Sequence, residues 1–266
     1  MPSYGIWERN KVMNSQTYFK LKQLRLSGMA DVYQNIFSDN KKRQNLSVDE
    51  MLGLMVDCEI NRRQDAKHER LLKKAAFEQP NAHISDIDYS ESRMLDRSLV
   101  LRLASCDFIL SSRNIVIMGA TGSGKSYLAC AVGREACRQL YSVRFTRMRT
   151  LLEDLKMASE FQEQKIKREL LNCNLLIIDD YMLSAIDETE TALLYELIHD
   201  RELSDRTSTI LCTQYDLKGC AMKMKGQTMS DAIYDRLEHN AYIINLSQNP
   251  EFPSMREKYG NRFKPL

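Results

Sequence analysis

The sequence predicts an α/β protein in which a parallel sheet, covered by helices on both faces, follows a small all-helical domain. Three observations carry this. First, Gly119-Ala120-Thr121-Gly122-Ser123-Gly124-Lys125-Ser126 matches the phosphate-binding loop pattern G-x-x-x-x-G-K-[ST], with an apolar, β-rich run (114–118) before it and a helical stretch from Tyr127 after it. Second, four more apolar, β-rich runs follow, at 142–146, 175–178, 209–212 and 242–246. Helical stretches at 151–171 and 187–203 lie between them, the alternation expected of a buried parallel sheet. Third, the stretches 15–37 and 47–74 read as helices.

In chain order, residues 15–37 form the first predicted helix, with Leu21, Leu24, Met29, Val32 and Ile36 on one face and an end or kink at Ser27-Gly28. The polar stretch 39–45 reads as a basic loop. A second helix starts at Ser47, where Glu50 three residues on completes a capping box. It runs to Lys74 and presents Arg63, Lys67, Arg70 and Lys74 at helical spacing, a basic stripe able to follow a phosphate backbone. A solvated amphipathic helix is the competing reading, with Asp65 and Glu69 in its favour. Gln79-Pro80 breaks the helix and marks the expected boundary between a domain at 1–80 and one at 81–266. Ile84–Tyr89 then leads into a helix over 94–104. Tyr89 is a weak candidate to flank a base and reads better as packing.

Glycines in the loop let backbone N–H groups point at phosphate oxygens, and the following helix adds the positive end of its dipole. Lys125 supplies a charge for the β- and γ-phosphates of ATP, and the Ser126 hydroxyl a ligand for Mg²⁺. The run Leu175–Ile178 ends in Asp179-Asp180. Asp179 would share the Mg²⁺ with Ser126, and Asp180 would act as base toward the attacking water. Thr213-Gln214 ends the next run with a hydroxyl and an amide, either able to bond the γ-phosphate or the water; position favours Gln214. Arg236 is a candidate arginine finger for a neighbouring subunit's nucleotide, or else a surface arginine paired with Asp235 or Glu238.

The chain has 266 residues, 43% hydrophobic and 28% charged, with net charge +2. That is an ordinary globular balance. Lys and Arg outnumber Asp and Glu up to residue 80, while the remainder is slightly acidic, which points the first domain at a polyanion. The 7 cysteines include no C-x-x-C pair, so they read as small buried hydrophobes in a reducing compartment. Met1–Asn14 lacks the apolar core of a leader, and no run approaches the roughly 20 apolar residues of a membrane span. The expected location is cytoplasmic, with no membrane partner.

With these stretches in hand, the chain resembles the IstB-like subfamily of AAA+ ATPases, the helper proteins encoded beside transposases in insertion sequences, and is similar to the helicase loader DnaC. The resemblance runs from about Leu21 to Arg256. Its marks are Leu24–Ala30, Val56-Asp57-Cys58-Glu59 with the basic helix, Ile87-Asp88-Tyr89, Leu99–Asp107, Ala232–Leu237 and His239–Tyr242. The N-terminal stretches favour the helper over the loader. The resemblance implies a five-stranded AAA+ core without a C-terminal lid domain, and nucleotide at subunit interfaces, held by Gly119 to Tyr127 and Asp179. It also implies self-assembly on duplex DNA, delivery of that DNA to a transposase, and a trans-acting role for Arg236. Asp180 stands where many AAA+ proteins have Glu. Arg256 is the candidate second sensor. A helicase loader is the alternative function. A monomeric small-molecule kinase is a third class, but it gives the basic stripe no role.

Overall fold

A computed structural model describes residues 16–89, 95–246 and Met255. The chain forms two compact units, one ending at Glu69 and the other beginning at Arg70.

The first unit is helical. Helix α1 spans 16–23, α2 Ser27–Ser38, α3 Asn40–Asn45, and α4 (Val48–Ala75) starts here. The expected kink falls at 24–26, where Arg25 takes a φ of 60°, and Ser27-Gly28 opens α2 instead of ending a helix. Close packing explains the glycine: a Cβ on Gly28 would lie 2.9 Å from the Cys58 carbonyl oxygen and 2.9 Å from the Glu59 Cα. Glu59, itself buried, accepts the Gly28 N–H at 2.8 Å and so satisfies a donor at the start of α2. Its other oxygen accepts from Arg63 Nε at 2.7 Å. The stretch expected as a basic loop is the helix α3. Asp39 accepts the Lys41 N–H at 3.0 Å as its cap, and no glycine or proline interrupts it. The capping box expected at the start of α4 is present: Glu50 N–H donates to Ser47 Oγ at 3.2 Å and Ser47 N–H to Glu50 Oε2 at 2.7 Å.

The second unit holds the sheet. Its elements are α5 (Arg97–Ala104), α6 (Asp107–Leu110), β1 (Asn114–Gly119), α7 (Lys125–Arg138), β2 (Val143–Arg147), α8 (Met148–Met157), α9 (Glu160–Asn172), β3 (Leu175–Tyr181), α10 (Glu188–Glu202), β4 (Ser208–Thr213), α11 (Leu217–Ala221), α12 (Gln227–His239) and β5 (Ala241–Leu246). The five strands run in the order β2-β3-β4-β1-β5, each pairing parallel. Successive side chains of a strand point to opposite faces. Ile115, Ile117, Leu175, Ile177, Ile210 and Cys212 pack with Leu128, Ala129 and Val132 of α7 on one face. Val116, Leu176, Ile178 and Leu211 pack with α8, α10 and α12 on the other. This is the expected α/β fold.

The single helix expected over 151–171 is two, because Ser159 and Gln162 form a capping box that starts α9 afresh. All seven cysteines are free, and all but Cys58 are buried. Burial pushes the thiols of Cys106, Cys130 and Cys137 up to about 12. Among the described residues no helix is long and apolar enough to cross a membrane. The leader reading at Met1–Asn14, the helix start at Met94, the missing lid after β5, the tail from Asn249 apart from Met255, and Arg256 all lie outside the described residues.

Candidate nucleotide site

The loop between β1 and α7 carries the phosphate-binding motif at the carboxyl edge of the sheet, where open parallel sheets bind ligands. Gly122 and Gly124 have φ of 81° and 91°, a region that other residues seldom enter, and Gly124 is the N-cap of α7. Lys125 is buried to 8% exposure and its Nζ donates to the Gly119 and Ala120 carbonyls, each at 2.9 Å. The ammonium therefore lies across the loop, where phosphate oxygens can take the place of neutral carbonyls with a gain in charge-assisted bonding. Ala120 and Thr121 are exposed on the rim, and Ser123 is buried. Tyr127 accepts the His83 N–H at 3.3 Å, which ties the first turn of α7 to the preceding linker. Tyr89 packs against the core with the Arg97 guanidinium 5.8 Å from its ring centre. Met255 N–H donates to the Gly122 carbonyl at 3.0 Å.

Asp179 and Asp180 lie where the β3–β4 pairing turns irregular, between Ile178 and Tyr181. Asp180 is half-buried with a φ of 53°, a left-handed conformation that Asp tolerates better than most residues and that turns it out of the strand's alternation. Asp179 is 3% exposed, and its Oδ1 is buried without a hydrogen bond. Burial pushes its carboxyl above the usual range, while a hydrogen bond with the Ser126 side chain pulls the other way. A buried carboxylate oxygen without a partner, beside a hydroxyl at the start of α7, is a donor set that fits Mg²⁺.

Thr213 is buried at the end of β4, its hydroxyl 3.3 Å from Cys220 Sγ and accepting the Tyr215 N–H at 3.1 Å. Gln214 is exposed just beyond. Arg236, on α12, pairs with neither Asp235 nor Glu238 in this subunit. It donates to the Ala232 carbonyl at 3.0 Å, lies 3.1 Å from His199 Nδ1 and 2.8 Å from Glu202 Oε2, and covers the Tyr195 ring at 5.2 Å. Arg63, Lys67, Arg70 and Lys74 are all exposed, and Arg63 is ion-paired to Glu59.

Sequence reasoning passed over Arg147 and Glu78. Arg147 ends β2 in register with Asp179, and its guanidinium pairs with Glu78. The rule that singled out Asp179 and Thr213, polar residues at strand ends, applies equally to Arg147. Only the strand order places it beside the carboxylates.

A five-stranded parallel sheet of this order, with a phosphate loop after β1 and paired carboxylates ending β3, is a P-loop nucleotide-binding core with the AAA+ fold. The family described as IstB-like ATP binding protein matches residues 19–261, and the chain belongs to it. An ATP-binding protein of insertion sequence IS1162 from Pseudomonas fluorescens is 39% identical over 204 residues, covering 76% of this chain and 87% of that one. Among solved structures, DnaI superposes with a TM-score of 0.54 at 19% identity, covering 70% of this chain and 93% of that one. The replication initiator DnaA, bound to AMPPCP and single-stranded DNA, does so with a TM-score of 0.52 at 21% identity, covering 70% and 57%.

Proposed function

We propose that the chain is a cytoplasmic, Mg²⁺-dependent ATPase that assists transposition. In this reading residues 1–80 form a DNA-binding domain and residues 81–266 an ATPase domain. The protein self-assembles on duplex DNA with ATP and delivers that DNA to the transposase of its own insertion sequence. One observation carries the reading: the buried, unpartnered Asp179 oxygen stands beside Ser126 behind a complete phosphate loop, in a chain whose relatives are ATP-binding proteins of insertion sequences.

Backbone N–H groups of Gly119 to Tyr127 and the Lys125 ammonium would hold the phosphates. Ser126 and Asp179 would hold Mg²⁺, which neutralises phosphate charge when bound. Water attacks the γ-phosphorus, Asp180 takes its proton, and the bond to the β–γ bridging oxygen breaks to leave ADP and phosphate. Gln214, or Thr213 through its hydroxyl, would orient the water or the γ-phosphate. Arg236 would leave Glu202 and His199 and neutralise developing charge on a neighbouring subunit's nucleotide. The exposed stripe Lys67, Arg70 and Lys74, with Arg63, would meet the DNA backbone.

Mixing Arg236→Ala protein, which keeps its phosphate loop, with Lys125→Ala protein, which keeps its arginine, tests the assembly. Each alone should lose about 10³-fold in hydrolysis, and the mixture should recover in part because some interfaces pair two intact elements. DNA should raise the recovery. Co-assembled proteins that never regain activity at any ratio would remove the trans role.

A further inference from the structure

Arg102 lies in the last turn of α5 and Arg113 just before β1. Both guanidinium groups meet one ring, that of Tyr242 in β5, at 5.2 and 5.3 Å from its centre. Local bonds build the arrangement. Asn114 N–H donates to the Asn240 carbonyl at 2.9 Å, and Asn240 Nδ2 to the Ser112 carbonyl at 3.2 Å, which ties the turn before β5 to the turn before β1. Tyr242 is half-buried against the core, and the two arginines are exposed. Strand register sets Tyr242 beside Ile115, at the amino edge of the sheet, whereas the phosphate loop leaves the carboxyl edge.

Several other arginines of this unit spend their donors inside the chain: Arg138, Arg147 and Arg149 on glutamates, Arg201 on backbone carbonyls. Among the described residues, the Arg102 and Arg113 side chains have no ion pair and no hydrogen bond. Asp96 feels Arg102, but it accepts from the Ser98 N–H at 2.8 Å and the Ser98 hydroxyl at 2.7 Å. Two like charges gathered on one ring without an acid do little for the fold. What the ring does is position two forks whose donors remain unspent, and such forks match phosphate oxygens two at a time. A nucleic-acid strand carries one phosphate per about 3.4 Å of axis, so a single backbone can serve both. We propose that Arg102 and Arg113, set by Tyr242, form a further contact for the phosphate backbone of duplex DNA, on the amino edge of the sheet and in addition to the α4 stripe. The inference rests on the reading of the chain as a duplex-DNA binder.

Titrating duplex DNA of arbitrary sequence with the full chain, in ATP and Mg²⁺ and over a range of salt, tests it. The Arg102→Gln, Arg113→Gln double variant should bind about tenfold more weakly, and its slope of log affinity against log salt should fall by about 2. Arg102→Lys with Arg113→Lys should restore the slope but not all of the affinity, since the charge returns without the fork. ATP affinity and melting temperature should stay at wild-type values in both, because the arginines are exposed and lie at the sheet edge away from the phosphate loop. A wild-type slope in the Gln variant overturns the proposal. So does an intact duplex slope with binding lost only to single-stranded DNA, inorganic polyphosphate or polyglutamate, which would assign the arginines to another anion. A Lys variant with a slope as low as the Gln variant's would mean that lost structure and not lost charge lowers it, and overturns the proposal too. The wild type separates the two failures. If it binds duplex DNA with a salt slope that the Gln variant shares, only this contact falls; if it shows no salt-dependent affinity for duplex DNA, the reading of the chain as a DNA binder falls and this inference with it.

Discussion

Glu59 in the helical unit and Asp179 at the sheet edge are both buried carboxylates, and their surroundings treat them in opposite ways. Glu59 has a partner for each oxygen, Gly28 N–H on one and Arg63 Nε on the other. The Arg63 hydrogen bond, ahead of burial and helped by Gly28, holds its carboxyl below the usual range. Asp179 keeps one oxygen without a hydrogen bond, and burial pushes its carboxyl up. Leaving a buried acceptor unmade costs about 1–3 kcal/mol, so folding alone gives no reason to keep Asp179 as it stands. A carboxylate saturated by its own chain holds helices together; one left short of partners is free to bind something from outside. The difference sorts structure from function more sharply than burial does.

The strongest way to break this comparison is to remove the charge at Asp179. Asp179→Asn should lower hydrolysis about 100-fold or more, the scale of losing one preorganised electrostatic contact to the reacting phosphate. Its melting temperature without nucleotide should stay level or rise, since an unfavourable buried charge is gone. A variant that melts clearly earlier and still hydrolyses ATP would make Asp179 a structural carboxylate like Glu59.

The mirror experiment removes Glu59. Glu59→Ala leaves the α2 donor and Arg63 without their partner and should destabilise the helical unit by about 2 kcal/mol. Gly28→Ala, which forces a Cβ against the backbone at Cys58 and Glu59, should cost about 1–3 kcal/mol. ATP affinity should not change in either. Hydrogen exchange over α2 and α4, set beside a nucleotide titration, reads both quantities. Unchanged protection of α2 in both variants would mean that the Gly28–Glu59 contact holds nothing.

The sequence made one half of this contrast plain and concealed the other. The phosphate loop, the five strands and the carboxylates ending β3 are local patterns, and a strand followed by a glycine loop and a helix leaves few alternatives. The contact between Gly28 and Glu59 joins residues on different helices, and nothing in either stretch alone announces it. Gly28 read as a helix end or kink, and the two stretches were otherwise marks of a family resemblance; the structure gives their contact a physical cause. The left-handed Asp180 and the pairing of Arg147 with Glu78 escaped for the same reason, since strand order and register decide them. The split of 151–171 into α8 and α9 was readable in Ser159 and Gln162, but the apolar pattern across the break masked it.

The contrast also sharpens the reading of the basic stripe. Arg63 is already ion-paired to Glu59, whereas Lys67 and Lys74 are exposed lysines. If the stripe meets phosphates, Lys67→Ala should lower the slope of log affinity against log salt for duplex DNA by about 1, and Arg63→Ala by less. A fold check on Arg63→Ala is needed, because it also unpairs Glu59. Equal slopes in the wild type and the Lys67→Ala, Lys74→Ala double variant would take the stripe off the DNA.

The smallest expected effect is a pH signature of the two carboxylates, read as melting differences without nucleotide or Mg²⁺. Glu59 has its folded pKa lowered, so its contribution is complete above the unfolded value of about 4.3 and fades as pH falls through the folded one. Asp179 has its folded pKa raised, so the folded state favours its protonated form. Relative to that form, stability is lost as pH rises through the folded value and is fully regained below about 3.9. Glu59→Gln should therefore be less stable than the wild type near neutrality, with the deficit closing only in strong acid. Asp179→Asn should be more stable near neutrality, with the advantage closing at milder pH. Acidification thus shrinks two differences of opposite sign in separate windows, the Asp179 one first. Hydrogen exchange at α2 and at β3 assigns each difference to its own unit. If both differences closed in the same window, or if Asp179→Asn were the less stable protein at neutrality, the two sites would not be the opposites that their hydrogen bonds describe.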